Sequence, residues 1–150
     1  MMLNLYRLCV GNHVHEAMYN RVSHEFEKLA HVEEKVKDPQ TRRITKLLHA
    51  TRGLETGLET FLELYGCVPA EISRHNMGSY MCALQHPPRG ARTFSVIPSP
   101  MFAKGHSNDD SIRRKRNKYL HQADQYPTEQ ETKVFLDEII KFYSAVLSLA

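Results

Sequence analysis

From Thr41 to Tyr65 apolar side chains return every three or four positions: Ile44, Leu47, Leu48, Leu54, Leu58, Phe61, Leu62 and Tyr65, with Thr51 in register. That spacing is the period of an α-helix and excludes a strand, whose side chains alternate. A long helix with a wide apolar face must bury it against other elements. Gly66 follows the last apolar residue, where a C-terminal glycine cap belongs. Gly53 and Gly57 weaken the helix but let a neighbour pack closely.

The rest of the chain supplies the packing partners. Met18, Val22, Phe26 and Leu29 mark a helix over about 13–36. Asp38-Pro39 ends it, because the residue before proline avoids helical angles and proline has no N–H to donate. Met77, Tyr80, Met81 and Leu84 suggest a short helix. Prolines and glycines then break the pattern over about 85–108, a stretch long enough to point to a functional or mobile segment, with Thr93 to Ile97 as a short extended piece. Ser107 or Asn108 would cap the next helix, with Asp109 and Asp110 in its first turn and its end near His121 to Asp124.

Thr128-Glu129-Gln130-Glu131 is a capping box, in which threonine and glutamate satisfy each other's backbone donors. It opens a last helix reaching about Leu147, with Phe135, Ile139, Phe142 and Val146 flanked by Leu136, Ile140, Tyr143 and Leu147. The expectation is an all-α, up-and-down bundle of four main helices plus a short extra helix, forming a single domain over 1–150.

Composition narrows the function classes. With 41% hydrophobic and 25% charged residues the chain has the balance of a globular protein. No apolar run approaches the roughly 20 residues that span a bilayer. The start, MMLNLYRLCV, is short, is interrupted by Arg7 and lacks the cleavage site of a signal peptide. A mature, cytoplasmic protein with no membrane partner is expected. Cys9, Cys67 and Cys82 are far apart and odd in number, so neither a disulfide framework nor a zinc ribbon is indicated. His13, His15, His24 and His31, and the loose pair Cys82 and His86, lack a recognisable metal-ligand spacing. There is no glycine-rich phosphate loop and no EF-hand, and no metal or cofactor is expected. The formal net charge of +3 is modest, but Arg113, Arg114, Lys115, Arg116 and Lys118 fall within six positions. Such a local patch attracts phosphate even on a nearly neutral protein.

That basic run leads into Arg116-Asn117-Lys118-Tyr119-Leu120-His121, ahead of Pro127 and the capping box. An arginine followed by a polar residue, with a histidine a few positions on, near the end of the helix before the last long one, resembles the motif of the HEPN domains, which are helical bundles. The resemblance covers the whole chain in helix pattern and is specific over about 113–140. Arg7 with His13, Arg42 with His49, Arg43 with His49 and Arg114 with His121 meet the bare spacing as well. Only Arg116 combines the Arg-Asn start with the position before the last helix. Arg43 and His49 lie within an apolar-striped helix, where a solvated arginine and a partly buried histidine explain them.

The resemblance implies a metal-independent endoribonuclease of the toxin or host-defence kind. RNA carries its own nucleophile, the 2′-hydroxyl. Cleavage needs a base for its proton, an acid for the leaving 5′-oxygen and positive charge for the phosphorane. Histidine serves as base or acid near neutral pH, and the arginine fork fits two phosphate oxygens. Asn117, one turn before His121, is placed to orient the imidazole or hold a phosphate oxygen. One histidine does not conveniently serve both proton transfers, and the family's answer is a homodimer whose cleft holds Arg116 and His121 from both subunits. Arg113, Arg114, Lys115 and Lys118 would hold the flanking RNA backbone, and Tyr119 or Tyr126 offers a stacking face. A toxin branch of the family carries, two residues after the histidine, a tyrosine that an antitoxin modifies; here that position is Ala123, with Tyr126 nearby. An antitoxin or a larger effector is the expected protein partner. The alternative is a non-catalytic module binding RNA, a nucleotide or a regulatory protein. A plain solvated basic face or a nuclear-localisation signal also fits the run 113–118.

Overall fold

The computed structural model describes residues 13–66, 75–87, 89–93 and 112–149, which form five helices with no strand among them. These are α1 (His13–Lys35), α2 (Pro39–Leu64), α3 (Met77–Gln85), α4 (Ile112–His121) and α5 (Glu129–Leu147). Most of the expected extended piece at 93–97 and the expected helix start at 107–111 lie outside the described residues.

Helix boundaries follow from local chemistry. Asp38 both ends the first helical run and starts the second. Its carboxylate accepts the Thr41 N–H at 2.7 Å, and Pro39 takes the first helical position, where a missing N–H costs nothing. The second helix therefore begins at Pro39, two residues before the start read from the apolar stripe. Gly66 adopts φ +67 just past α2 and frees the chain to turn, as a glycine C-cap does. At α5 the capping box forms in both directions, with Glu131 N–H donating to Thr128 Oγ1 at 3.2 Å and Thr128 N–H donating to Glu131 Oε2 at 2.7 Å.

The central element is α2, which packs against all four other helices. Cross-helix pairs give the directions. Arg21 meets Glu63, Glu25 meets His49 and Arg52, and Glu33 meets Arg42 and Lys46, so α1 and α2 run antiparallel. Lys115 meets Glu138 and Tyr119 meets Glu131, so α4 and α5 are antiparallel too. Arg43 meets Glu129, and Gly57 faces Tyr143, so α2 and α5 run in the same sense. The four longer helices thus alternate in direction, with α3 as the short addition.

Met18, Val22 and Phe26 of α1, Leu47, Leu54, Leu58, Phe61 and Leu62 of α2, and Phe135, Ile139, Phe142 and Val146 of α5 form one core, each at most 3% exposed. Leu48, expected on the α2 stripe, is instead 38% exposed, because it lies beyond the edge of the buried arc. The two α2 glycines face aromatic rings. A Cβ at Gly53 would meet Phe26 Cζ at 3.2 Å, and one at Gly57 would overlap Cε2 of Tyr143.

Candidate nucleic-acid interface

Helix α4 is a polar helix anchored by two residues. Ile112 and Tyr119, two turns apart, point into the core. Everything else on α4 is arranged around that anchor, and its seven other charged or hydrogen-bonding side chains divide into two groups by exposure.

The first group is engaged with the protein. Lys115 Nζ reaches both carboxylate oxygens of Glu138 on α5, at 3.0 and 2.9 Å. Arg116 leans the other way. Its Nη2 lies 3.9 Å from Glu55 Oε2 on α2, its Nη1 donates to Asn117 Oδ1 at 3.3 Å, and its Nε is buried without a hydrogen-bond partner among the described residues. The other oxygen of Glu55 accepts the Met77 N–H at 2.8 Å, at the start of α3. One carboxylate therefore joins α2, α3 and α4. Arg113 lies over the same corner, its Nε 3.3 Å from where a Gly78 Cβ would be.

The second group faces outward. Arg113, Arg114, Asn117, Lys118 and His121 are exposed. Asn117 and His121 are one turn apart, and Arg114 and His121 two turns apart, so they share a face. His121, the last residue of α4, makes no hydrogen bond or ion pair among the described residues. Arg116 and His121, five positions apart, project about 140° from one another around the helix axis. Within one chain the structure brings Arg114, Asn117, Lys118 and His121 together and sends Arg116 to the Glu55 side.

The two tyrosines differ. Tyr119 is 7% exposed; its hydroxyl donates to Glu131 Oε1 at 3.1 Å, and Lys118 Nζ sits 4.9 Å above its ring. Burial, and then the bond to Glu131, push the phenol up to about 12. Glu131 moves the opposite way, held below the ordinary carboxylate value chiefly by the Thr128 backbone N–H and hydroxyl, with Tyr119 adding to them. Tyr126 is 49% exposed in the link between α4 and α5 and presents an open ring. Between α4, that link and the first turns of α5 lies a groove of about 750 Å³. Tyr119 and Val134 line it along with Arg114, Lys118, the paired Lys115 and Glu131, and the glutamines Gln122, Gln125 and Gln130.

Arg42, Arg43 and His49, which also meet the bare spacing, have structural roles. Arg42 donates to the Val36 and Lys37 carbonyls at the end of α1 and pairs with Glu33. Arg43 is half-buried against Glu129 rather than solvated, as its place within α2 had suggested. His49 is largely buried, with Nδ1 hydrogen-bonded to Glu25 Oε2 at 2.7 Å. Glu25 is itself 3% exposed, yet is compensated by His49, Arg52, His24 and Lys28. Burial pushes its carboxyl up, but the His49 bond and the Arg52 and Lys28 charges outweigh that, and the net shift is downward. Arg7 lies outside the described residues. Among the described residues no three histidine, cysteine, aspartate or glutamate side chains converge as a metal-ligand set, and no helix is long and apolar enough to cross a membrane.

Sequence reasoning missed Glu55, Glu138 and the three glutamines. Glu55 and Glu138 are acidic residues on helix flanks, and no local pattern points from them to α4. Glu131 was visible as a capping residue, but its second bond, to Tyr119, is a tertiary contact. Compared with protein-family models, with curated proteins and with solved structures, the chain matches none of them.

Proposed function

We propose that the protein is a HEPN-type bundle that cleaves RNA without a metal ion, with His121 as the proton-transferring group. The observation that carries this reading is the outward face of α4. It presents an imidazole with no partner among the described residues, beside Asn117 and within two turns of Arg114 and Lys118, on a helix anchored by Ile112 and Tyr119. His121 abstracts the 2′-hydroxyl proton or protonates the leaving 5′-oxygen, and Asn117 orients it or holds a phosphate oxygen. The cations supply the sequence-independent attraction to the backbone. Two proton transfers call for two histidines, so the active form is a homodimer with α4 at the interface. In that arrangement Arg116 of one subunit need not share a face with His121 of its own chain, because the composite cleft draws on both. An antitoxin or larger effector would control such an enzyme.

A second reading has its own observation. The Arg116 guanidinium is engaged by Glu55 and Asn117, as a structural clamp would be. On that reading the outward face binds RNA, a nucleotide or an acidic protein without chemistry.

Substitutions separate the two. His121→Ala should reduce cleavage by about 10²- to 10⁴-fold, the usual loss of a general acid or base. Arg116→Ala should be comparably damaging, and Arg116→Lys should not restore full activity, because lysine lacks the bidentate fork. His49→Ala should leave cleavage by the folded fraction near the parent level. The product should carry a 2′,3′-cyclic phosphate or its opened form, and chelator should not abolish activity. Folded, dimeric His121→Ala cleaving at the parent rate would overturn the catalytic reading and leave the binding module.

A further inference from the structure

We infer that the groove between α4 and α5 is a base-reading subsite for single-stranded RNA, holding the nucleotide next to the phosphate at His121. This rests on the RNA-directed reading above and adds what recognises the substrate. The groove's volume of about 750 Å³ falls within the roughly 300–1,000 Å³ typical of small-molecule sites. Its position is set by the chain, since Gln122, on its wall, directly follows His121.

The lining divides by chemistry. Tyr119 and Val134 give an apolar floor, and Val134 is 40% exposed, large and unpacked on the groove side. The floor is rigid, because Tyr119 is tied to Glu131, which is tied in turn to Thr128. Lys115 pairs with Glu138 and the lining carboxylate of Glu131 is held by Thr128 and Tyr119, so Lys118, exposed beside the Tyr119 ring, is the cation at the rim. Gln122 and Gln125 come from the link and Gln130 from α5, and none of their side-chain amides bonds within the described residues. Each amide presents two donors and one acceptor.

An occupant must satisfy amides that both donate and accept, rest an apolar face against Val134 and the exposed margin of Tyr119, and carry negative charge towards Lys118. A nucleotide within a single strand meets all three requirements, with its base edge on the amides and its phosphate on the rim. In duplex RNA the base edges that the amides would read are paired and stacked.

The test uses the full chain carrying His121→Ala, so that RNA binds without being cut. Anisotropy of labelled U, A and C oligonucleotides is measured with Gln122→Ala, Gln130→Ala, their double variant, Lys118→Ala and, to block the floor, Val134→Glu. Each glutamine variant should lose about 2- to 10-fold in affinity, the worth of one net hydrogen bond, and should change the ranking of the three oligonucleotides. Lys118→Ala should weaken all three alike and flatten the salt dependence. Inorganic polyphosphate, which has charge but no bases, should be insensitive to the glutamine variants. Glutamine and Val134 variants that bind all three oligonucleotides like the parent, while Lys118→Ala is impaired, overturn the subsite and leave the RNA-directed reading intact. A parent that binds no RNA overturns both. Glutamine losses that extend equally to polyphosphate overturn base reading.

Discussion

Replacing Gly57 with alanine sets two known effects against each other. Alanine is the better helix former by about 1 kcal/mol in a helix interior. Its Cβ would overlap Tyr143 Cε2 and stand 3.0 Å from Oη and 3.1 Å from Cζ, where carbon pairs are comfortable at about 3.5–4.0 Å. Tyr143 has nowhere to go, being 2% exposed and meeting Phe26 edge-on at 5.8 Å between centroids. Phe26 is itself pressed against Gly53. Overpacking a rigid core costs about 1–3 kcal/mol, and the overlap with an immobile ring puts this site at the upper end. The net expectation is destabilisation by about 2 kcal/mol, or roughly 4–8 °C in Tm for a chain of this length. Thermal unfolding followed by circular dichroism measures it. The companion double variant Gly57→Ala with Tyr143→Leu should be more stable than the two single losses predict, because the smaller side chain removes the overlap. A Gly57→Ala protein as stable as the parent, or strictly additive losses, would refute the proposed contact between α2 and α5.

Three further outcomes follow from the same contacts. Thr128→Ala removes the α5 N-cap and should cost about 1 kcal/mol, or roughly 2–4 °C in Tm by the same melting assay. Glu25 has its carboxyl lowered from an ordinary 4.5 in the folded chain, so its stabilisation is complete above that value and is lost as pH falls below it towards the folded-state value. Melts from pH 7 to pH 3 should show that decline, and Glu25→Gln should make it shallower. Light scattering coupled to sizing should give a dimer at micromolar concentration, and a strict monomer would remove the composite site.

How much of this was legible depended on the range of the interaction. The extents of α1, α2 and α5 follow from apolar residues at helical spacing, a signal each helix carries within itself. The Thr128–Glu131 box was readable for the same reason, since donor and acceptor lie three positions apart. Asp38 was readable only as a helix end; that its carboxylate also starts α2 required the turn to close. Leu48 illustrates the limit of periodicity, which marks a face but not how much of it the neighbours cover. At the candidate site, the local features of α4 were visible: its charge and the Asn117–His121 spacing. Tyr119 was read as a stacking face, yet burial and Glu131 make it the groove floor. The partner of Arg116 is Glu55 on α2, and nothing in the local sequence of either residue points to the other.

The Glu55 contact gives the two functional readings a common physical basis. A 3.9 Å ion pair between half-buried partners is a weak restraint in a screened setting, and Glu55 is also held by the Met77 N–H. The carboxylate is thus committed to the start of α3 whether or not Arg116 stays beside it, so the arginine can exchange one anionic partner for another without undoing the fold. Its Nε is buried without a hydrogen-bond partner among the described residues, while the terminal nitrogens face Glu55 and Asn117. A phosphate oxygen arriving at the Asn117 side would compete for those same terminal nitrogens, and would carry the charge that makes arginine hydrogen bonds strong. On the RNA-directed reading proposed above, the clamp in the free protein and a phosphate contact in a complex would be two occupied states of one guanidinium. What would distinguish catalysis from binding is the His121 imidazole, about 140° round the helix from Arg116, which no other described residue holds.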